Sequence, residues 1–296
     1  MAKVAVVGAG LMGVGIAHAF ATAGHQVGLV DVAPERLSKG RETIAGILAD
    51  GVRLGKLTQE AAALALARLE THADLGAAAE GANLLLETVS EQLCAKTAVV
   101  STAESFLADG ALIATNTSAL SVTEIAAACR MPERVLGMHF FNPVQKMKLV
   151  ELVRGLATSD ATVETARSFV SDLGKTAIVV NETPGLTTSR MSAMLGNEAM
   201  YMLLEGTASA EDIDTALRLG FNHPMGPLEL GDLTGWDTRL SVLQYLHASL
   251  GEKFRPCPLI VKMVKAGRLG RKTGWGVYRY EEGVQVPGSG LKASSL

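Results

Sequence analysis

The stretch Val4-Ala5-Val6-Val7-Gly8-Ala9-Gly10-Leu11-Met12-Gly13, read on to Asp31, decides how this chain folds. Val4 to Val7 is a short apolar run closed by Gly8, the pattern of a buried strand. Residues 11–23 carry helical spacing and stop at Gly24, and residues 26–30 form a second apolar run that ends at Asp31. Strand, helix and strand within about thirty residues is the size of one βαβ unit. A competing explanation is a secretory signal. Residues 4–30 hold no Asp, Glu, Lys or Arg, Lys3 precedes them, and Ala17-His18-Ala19 imitates a cleavage site. Gly8, Gly10, Gly13 and Gly15 break that run. A βαβ turn explains their spacing, whereas an apolar signal core has no use for it.

Residues 8–13 read G-x-G-x-x-G. In such a turn the first glycine permits the tight bend, the second lets backbone approach a pyrophosphate, and the third lets helix and strand pack closely. The new helix aims free N–H groups and the positive end of its dipole at the phosphates. The pattern alone is weak, and a glycine-rich turn beside a surface acid would also produce it. Here it follows a strand, opens a helix and has Asp31 at the end of the second strand, which is the context a dinucleotide site requires. A carboxylate at Asp31 suits a ribose 2′-hydroxyl and repels a 2′-phosphate. Val32 and Ala33 add no cation, and Arg36 falls on the next predicted helix, so NAD(H) is expected over NADP(H).

The alternation continues outward. Strands are expected at 83–86, 111–114, 135–139, 149–153 and 177–180, with helices at about 34–50, from Thr58, at 91–107, 123–128 and 161–173. Strands alternating with helices imply a mainly parallel sheet covered on both faces. The character changes at Pro184-Gly185, after which helices are predicted at 186–205, 210–219, 226–250 and 258–266, with no confident strand. The expected organisation is therefore an α/β domain over 1–184, an all-α domain over 185–284, and a mobile tail over 285–296 rich in Pro, Gly and Ser.

Composition narrows the function classes. The chain has 296 residues, which at about 150 per domain suggests two domains. With 48% hydrophobic and 19% charged residues it is not a disordered chain. The formal net charge of -3 and the lack of a dense Lys/Arg block argue against a nucleic-acid partner. Cys94, Cys129 and Cys257 are odd in number and form no C-x-x-C, so neither a disulfide framework nor zinc is expected. A reducing, cytoplasmic location without membrane attachment fits. His18, His25, His72, His223 and His247 share no metal-ligand spacing, and no metal is expected.

Two further clusters carry chemistry. His139 lies at the C-terminal end of a predicted strand, the ligand side of a parallel sheet. Glu151 stands twelve residues on within Leu149-Val150-Glu151-Leu152-Val153, where an acid is costly to bury without a partner. A carboxylate on one ring nitrogen would fix the tautomer and favour imidazolium, leaving the other nitrogen to exchange a proton with a substrate hydroxyl. A histidine satisfied in a turn and a glutamate facing solvent remain the alternative. Asn116-Thr117-Ser118 follows another strand, so Ser118 could donate to a substrate oxygen, although this triplet is also a common helix cap.

Taken together and in order, these segments resemble the 3-hydroxyacyl-CoA dehydrogenases, of the short bacterial 3-hydroxybutyryl-CoA dehydrogenase type. The matching set is residues 8–17, Glu91 with Lys96, 116–118, 139–143, 149–151, Pro224-Met225-Gly226-Pro227 and Gly270-Arg271-Lys272-Thr273-Gly274. The resemblance implies a Rossmann-type N-terminal domain, a helical C-terminal domain that forms a homodimer, and NAD as cofactor. It implies that His139 is the catalytic acid/base with Glu151 as its partner, that Ser118 contacts the substrate's 3-oxygen, and that Asn142 shapes the nicotinamide site. Gly8, Gly10, Leu11, Met12, Gly13, Asp31, Glu91, Lys96, Asn116, Ser118, Asn142 and Lys272 become the expected cofactor contacts. The substrate would be an acyl-CoA touching Ser118 and Ser189, with Arg53 and Lys56 as candidates for its phosphates among the cations Lys39, Arg41, Arg53 and Lys56. Ser189-Arg190 departs from the Asn-Arg usual in the family, and Trp236 and Trp275 replace smaller or different residues. The implied reaction is reversible NAD-dependent oxidation of an L-3-hydroxyacyl-CoA, of short chain, to the 3-ketoacyl-CoA. The alternatives are oxidation of a non-CoA hydroxy acid, or an NAD(H)-binding module with weak catalysis.

Overall fold

The computed structural model describes residues 1–292, which divide into a unit from Met1 to Glu182 and a second from Thr183 onward. In the first unit the opening motif forms β1 (Lys3–Val7), α1 (Leu11–Thr22) and β2 (Gln26–Val30). The uncharged stretch that imitates a signal is thus a buried βαβ unit of the sheet. Then follow α2 (Pro34–Arg53), α3 (Gln59–Ala67), β3 (Leu69–His72), α4 (Leu75–Ala79), β4 (Leu84–Glu87), α5 (Leu93–Ala103), β5 (Leu112–Thr115) and α6 (Val122–Ala126). The unit ends with β6 (Val135–Phe140), β7 (Leu149–Arg154), α7 (Asp160–Asp172) and β8 (Thr176–Asn181). Local chemistry sets several of the boundaries. Pro34 opens α2, and Thr58, Asp74, Ser121 and Ser159 each cap a helix by accepting a backbone N–H three residues on.

The eight strands run in the order β3-β2-β1-β4-β5-β6-β7-β8. All neighbours are parallel except β6 and β7, which are antiparallel. Alternate residues of β1 serve opposite faces. Val4 and Val6 pack with Ile16, Phe20, Leu29 and Ile44, while Ala5 and Val7 pack with Leu85, Val100 and Ile113. Burial on both faces is why these strands read as continuous apolar runs rather than alternating ones. The chain order reverses between β1 and β4, the point where such sheets open a crevice at their carboxyl edge. Strand β3 carries no apolar run and helix α4 is only five residues long, so neither is foreseen by the sequence pattern.

The second unit holds α8 (Thr188–Glu205), α9 (Ala210–Gly220), α10 (Pro227–Thr234), α11 (Trp236–Leu250) and α12 (Pro258–Lys265) around Met200, Leu203, Trp236, Leu243 and Ile260. The region is helical as expected, with one boundary corrected. The single helix predicted over 226–250 is two, broken at Gly235, whose φ of 96° no helix accommodates. One short hairpin adds to the helices. β9 (Tyr280–Glu281) and β10 (Val284–Gln285) form a hairpin turned by Glu282 and Gly283, both at positive φ. Strands of two residues are too short to show a period. The predicted tail carries two hydrogen bonds to the rest of the unit, from Gly290 N to Glu211 Oε1 at 2.9 Å and from Leu291 N to the Val277 carbonyl at 2.9 Å. Its last residues, 293–296, lie outside the described residues.

Candidate active site

Antiparallel pairing of β6 and β7 sets His139 directly opposite Glu151. Both side chains therefore stand on one face of the sheet, and Glu151 Oε2 meets His139 Nδ1 at 2.8 Å. Glu151 is 0% exposed and His139 6%. A buried carboxylate facing Nδ1 assigns the ring proton to that nitrogen and leaves Nε2 pointing the other way, where Ser118 Oγ lies at 3.0 Å. The ring also packs at 4.7 Å between centroids on Phe141.

Ser118 sits in the turn after β5, and that turn is pinned from two sides. Glu91 Oε1 accepts from Ser118 N at 3.1 Å and from the Thr117 hydroxyl. Asn116 Oδ1 accepts from Phe140 N at 2.9 Å, joining the ends of β5 and β6. Behind Glu91 lies an enclosed charge group. Lys96 Nζ donates to Glu87 Oε1 and Oε2 at 3.0 and 3.1 Å and to the Asn116 carbonyl at 3.3 Å, and it stands 3.3 Å from Glu91 Oε2. Glu87 also accepts from Thr115 Oγ1 and Val89 N, each at 2.6 Å. Burial pushes the Glu87 carboxyl up, and the Lys96 ammonium beside it opposes that shift. Lys96, expected to touch a cofactor directly, is 0% exposed and spends its donors on protein oxygens. Sequence reading missed Glu87, although an acid closing the apolar run Leu84-Leu85-Leu86 is the same cue that marked Glu151.

The glycine turn occupies the same carboxyl edge, after β1. Gly8 has φ +104°, and a Cβ on Gly13 would lie 1.8 Å from the Gly8 carbonyl, so neither position admits a side chain. Nothing lies within 4 Å of where a Gly10 Cβ would stand. Helix α1 has no side-chain cap and no acid in its first turn, so its N–H groups are open to an anion at Leu11 and Met12. Asp31 Oδ2 accepts from Ala9 N at 2.9 Å and Oδ1 from Ala33 N at 3.0 Å. The acid therefore braces the turn as well as standing at the end of β2. Arg36 Nη1 approaches Asp31 Oδ2 to 3.9 Å from a mostly exposed side chain. A groove of about 680 Å³ runs from Gly10 and Leu11 along Arg36, Lys39 and Thr43 of α2, closed on the other side by residues 142–145. These features suit a dinucleotide pyrophosphate at α1 and a ribose at Asp31.

The structure thus gathers His139, Glu151, Ser118, Glu91 and Asn116 in one hydrogen-bonded cluster, and Asn142, Gly10 and Leu11 on one groove. Within the first unit other expected residues stand apart. Arg53 is at the far end of α2, paired with Asp50 at 2.9 Å and bordering a separate groove against α3. Lys56 is exposed in the turn that follows, while Arg41 Nη1 is committed to the Leu69 carbonyl at 2.7 Å. Of Lys39, Arg41, Arg53 and Lys56, Lys39 is the one that borders the glycine-turn groove, where Arg36 stands as well. In the second unit Ser189 is half-buried on α8, and Lys272 Nζ pairs with both Asp237 oxygens at 2.7 Å. Trp236 is a core residue whose Nε1 donates to Asp232 at 2.6 Å, and Trp275 is flanked by the guanidinium groups of Arg268 and Arg279.

Comparison with known proteins agrees with this geometry. Residues 3–183 match the family model for the NAD binding domain of 3-hydroxyacyl-CoA dehydrogenase, and residues 185–280 match that for its C-terminal domain. The chain is 46% identical over 286 residues to a 3-hydroxybutyryl-CoA dehydrogenase of Bradyrhizobium diazoefficiens, covering 96% of this chain and 97% of that protein. It is 38% identical to one of Clostridioides difficile, covering 95% and 100%. The crystal structure of (S)-3-hydroxybutyryl-CoA dehydrogenase from Ralstonia eutropha is similar with a TM-score of 0.90 at 40% identity, covering 95% of this chain and 100% of that one.

Proposed function

Because the chain belongs to the 3-hydroxyacyl-CoA dehydrogenase family, we propose that it catalyses the reversible NAD-dependent oxidation of short-chain L-3-hydroxyacyl-CoA, such as 3-hydroxybutyryl-CoA, to the 3-ketoacyl-CoA. The observation that carries this reading is the line Glu151–His139–Ser118, at 2.8 and 3.0 Å, on the same sheet edge as the glycine turn. When bound, NAD accepts a hydride equivalent from the substrate carbon in oxidation and returns it in reduction. His139 Nε2 takes the hydroxyl proton in oxidation and gives it back in reduction. Glu151 steadies the positive ring in either direction, and Ser118 Oγ donates to the substrate oxygen. Glu91 holds Ser118 in place by accepting its N–H.

In this reading Asn142, which lines the groove, shapes the nicotinamide site, and Gly8 to Gly13 with Asp31 hold the pyrophosphate and ribose. Lys39 and Arg36, on the groove, join Arg53 and Lys56 as candidates for the CoA phosphates. Ser189 and Lys272 are assigned to substrate and cofactor by family resemblance. A cytoplasmic homodimer fits. The three cysteines are free, no helix among the described residues is long and apolar enough to cross a membrane, and Met191, Leu219 and Phe221 of the second unit are exposed.

The test is NADH oxidation with acetoacetyl-CoA, set against small keto acids. Rapid turnover of the thioester supports the proposal. Turnover of small acids alone, or NADH binding without turnover, overturns it. Substituting His139→Gln should reduce kcat by about 10²–10⁴-fold while NADH affinity is kept.

A further inference from the structure

Residues 142–148 leave β6 as a loop with one internal turn, in which Lys146 N and Met147 N both donate to the Pro143 carbonyl. What seats this loop lies outside it. Lys175, which follows α7, reaches back so that its Nζ donates to the Val144 and Met147 carbonyls, each at 2.6 Å. Thr176 N closes the base on the Lys148 carbonyl at 2.7 Å. Val144, 2% exposed, also rests on α1, where Gly15 leaves room for it. A Cβ at Gly15 would stand 2.9 Å from Val144 Cγ2 and 3.0 Å from Val144 Cβ. Helix propensity alone disfavours glycine inside α1, so the approach of Val144 is the physical reason for it. The seated face of the loop presents Asn142 and Gln145 to the groove, across from Ala9, Gly10 and Leu11.

We propose that Lys175 and Gly15 are positioning residues, which hold the Asn142 loop through two separate contacts and so fix the wall of the glycine-turn groove. The inference rests on the role of Asn142 in the proposed function. A lysine bridging two carbonyls three residues apart sets the curvature of the loop, and the Gly15–Val144 contact sets its depth against α1. Lys175 is not part of the groove lining and acts through the loop, whereas Gly15 lines the groove beside Val144 and sets its width through that contact.

The experiment compares the full-length parent with Lys175→Met, Gly15→Ala and the double variant Gly15→Ala/Val144→Ala. It measures thermal unfolding, NADH fluorescence titration, and kcat and KM with acetoacetyl-CoA. Displacement of a reacting partner by about 1 Å costs about a hundredfold, so kcat/KM should fall by about 10- to 100-fold in both single variants, which remain cooperatively folded. Val144→Ala removes the 2.9 Å contact to Cγ2 and leaves the 3.0 Å contact to Cβ, so it should return part of the activity lost in Gly15→Ala. Should Lys175→Met fail to fold, the Gly15 pair decides the matter alone. Parent-like kcat/KM in the folded single variants, or no recovery in the double variant, overturns the positioning role while leaving the functional reading intact. A parent that neither binds NADH nor turns over overturns both.

Discussion

Replacing Glu151 by Gln keeps an oxygen where the carboxylate meets His139 Nδ1 and removes only the charge. The size of the effect can be bracketed. A hydrogen bond to an ionised partner contributes about 1.5–3 kcal/mol against about 1 kcal/mol for a neutral one, so roughly 1 kcal/mol is the least that disappears. Unit charges about 4 Å apart interact by about 4 kcal/mol at an effective dielectric constant of about 20, which is the ceiling. The side chains are 7% and 0% exposed, so solvent screens the pair poorly and the upper half of the range applies. A loss of about 3 kcal/mol corresponds to about 100-fold in kcat for oxidation, the direction that creates the positive ring. The amide leaves no isolated charge behind, so the melting temperature should change little. The assay is NADH formation from 3-hydroxybutyryl-CoA in purified parent and E151Q, with NADH affinity by fluorescence as control. A folded E151Q with parental kcat would refute the proposed partnership. Equal loss of NADH affinity and kcat would show that Glu151 shapes the cofactor site instead.

Three other outcomes are expected. Lys96→Met strands the buried Glu87 carboxylate and should destabilise the protein by about 3–5 kcal/mol in urea titration, whereas Glu87→Gln combined with Lys96→Met should recover much of that loss. Asp31→Ala removes the acceptor for both Ala9 N and Ala33 N, so NADH affinity and melting temperature should fall together, and a loss of affinity with unchanged melting would show that the brace contributes nothing. His18 is buried with neither ring nitrogen bonded, and burial first, then the Lys175 charge, hold its pKa below 6.5. The unfolded chain gains a proton near that pH that the folded ring refuses, so the stability due to the neutral ring is full above pH 6.5 and drains away on the acid side. His18→Leu should therefore flatten the acid decline in melting temperature relative to the parent, and an unchanged slope would contradict the sign.

Much of the fold was legible because local rules suffice for it. Apolar runs on β1, β4 and β5, the helix-opening Pro34 and the capping Thr58 and Ser159 each act within a few residues of themselves. The pattern failed where a signal was too short or a long-range contact ruled, as at β3, at the β9–β10 hairpin and at Gly235. The glycine turn was equally readable, since the spacing of Gly8, Gly10 and Gly13 is itself the steric requirement.

The sequence by itself determined that a βαβ dinucleotide turn opens the chain, that Asp31 closes it, and that an imidazole and a carboxylate twelve residues apart fall on successive predicted strands. It could not determine that they meet. Antiparallel pairing of β6 with β7 put His139 opposite Glu151, and a register shifted by one residue would have sent one side chain to the other face. Tertiary packing also decided that Lys96 is enclosed by Glu87 and Glu91, that Arg53 turns to Asp50, and that Lys175 holds the Asn142 loop. Each of these depends on groups brought together by sheet order and helix packing, and no local pattern in the chain encodes such a distance.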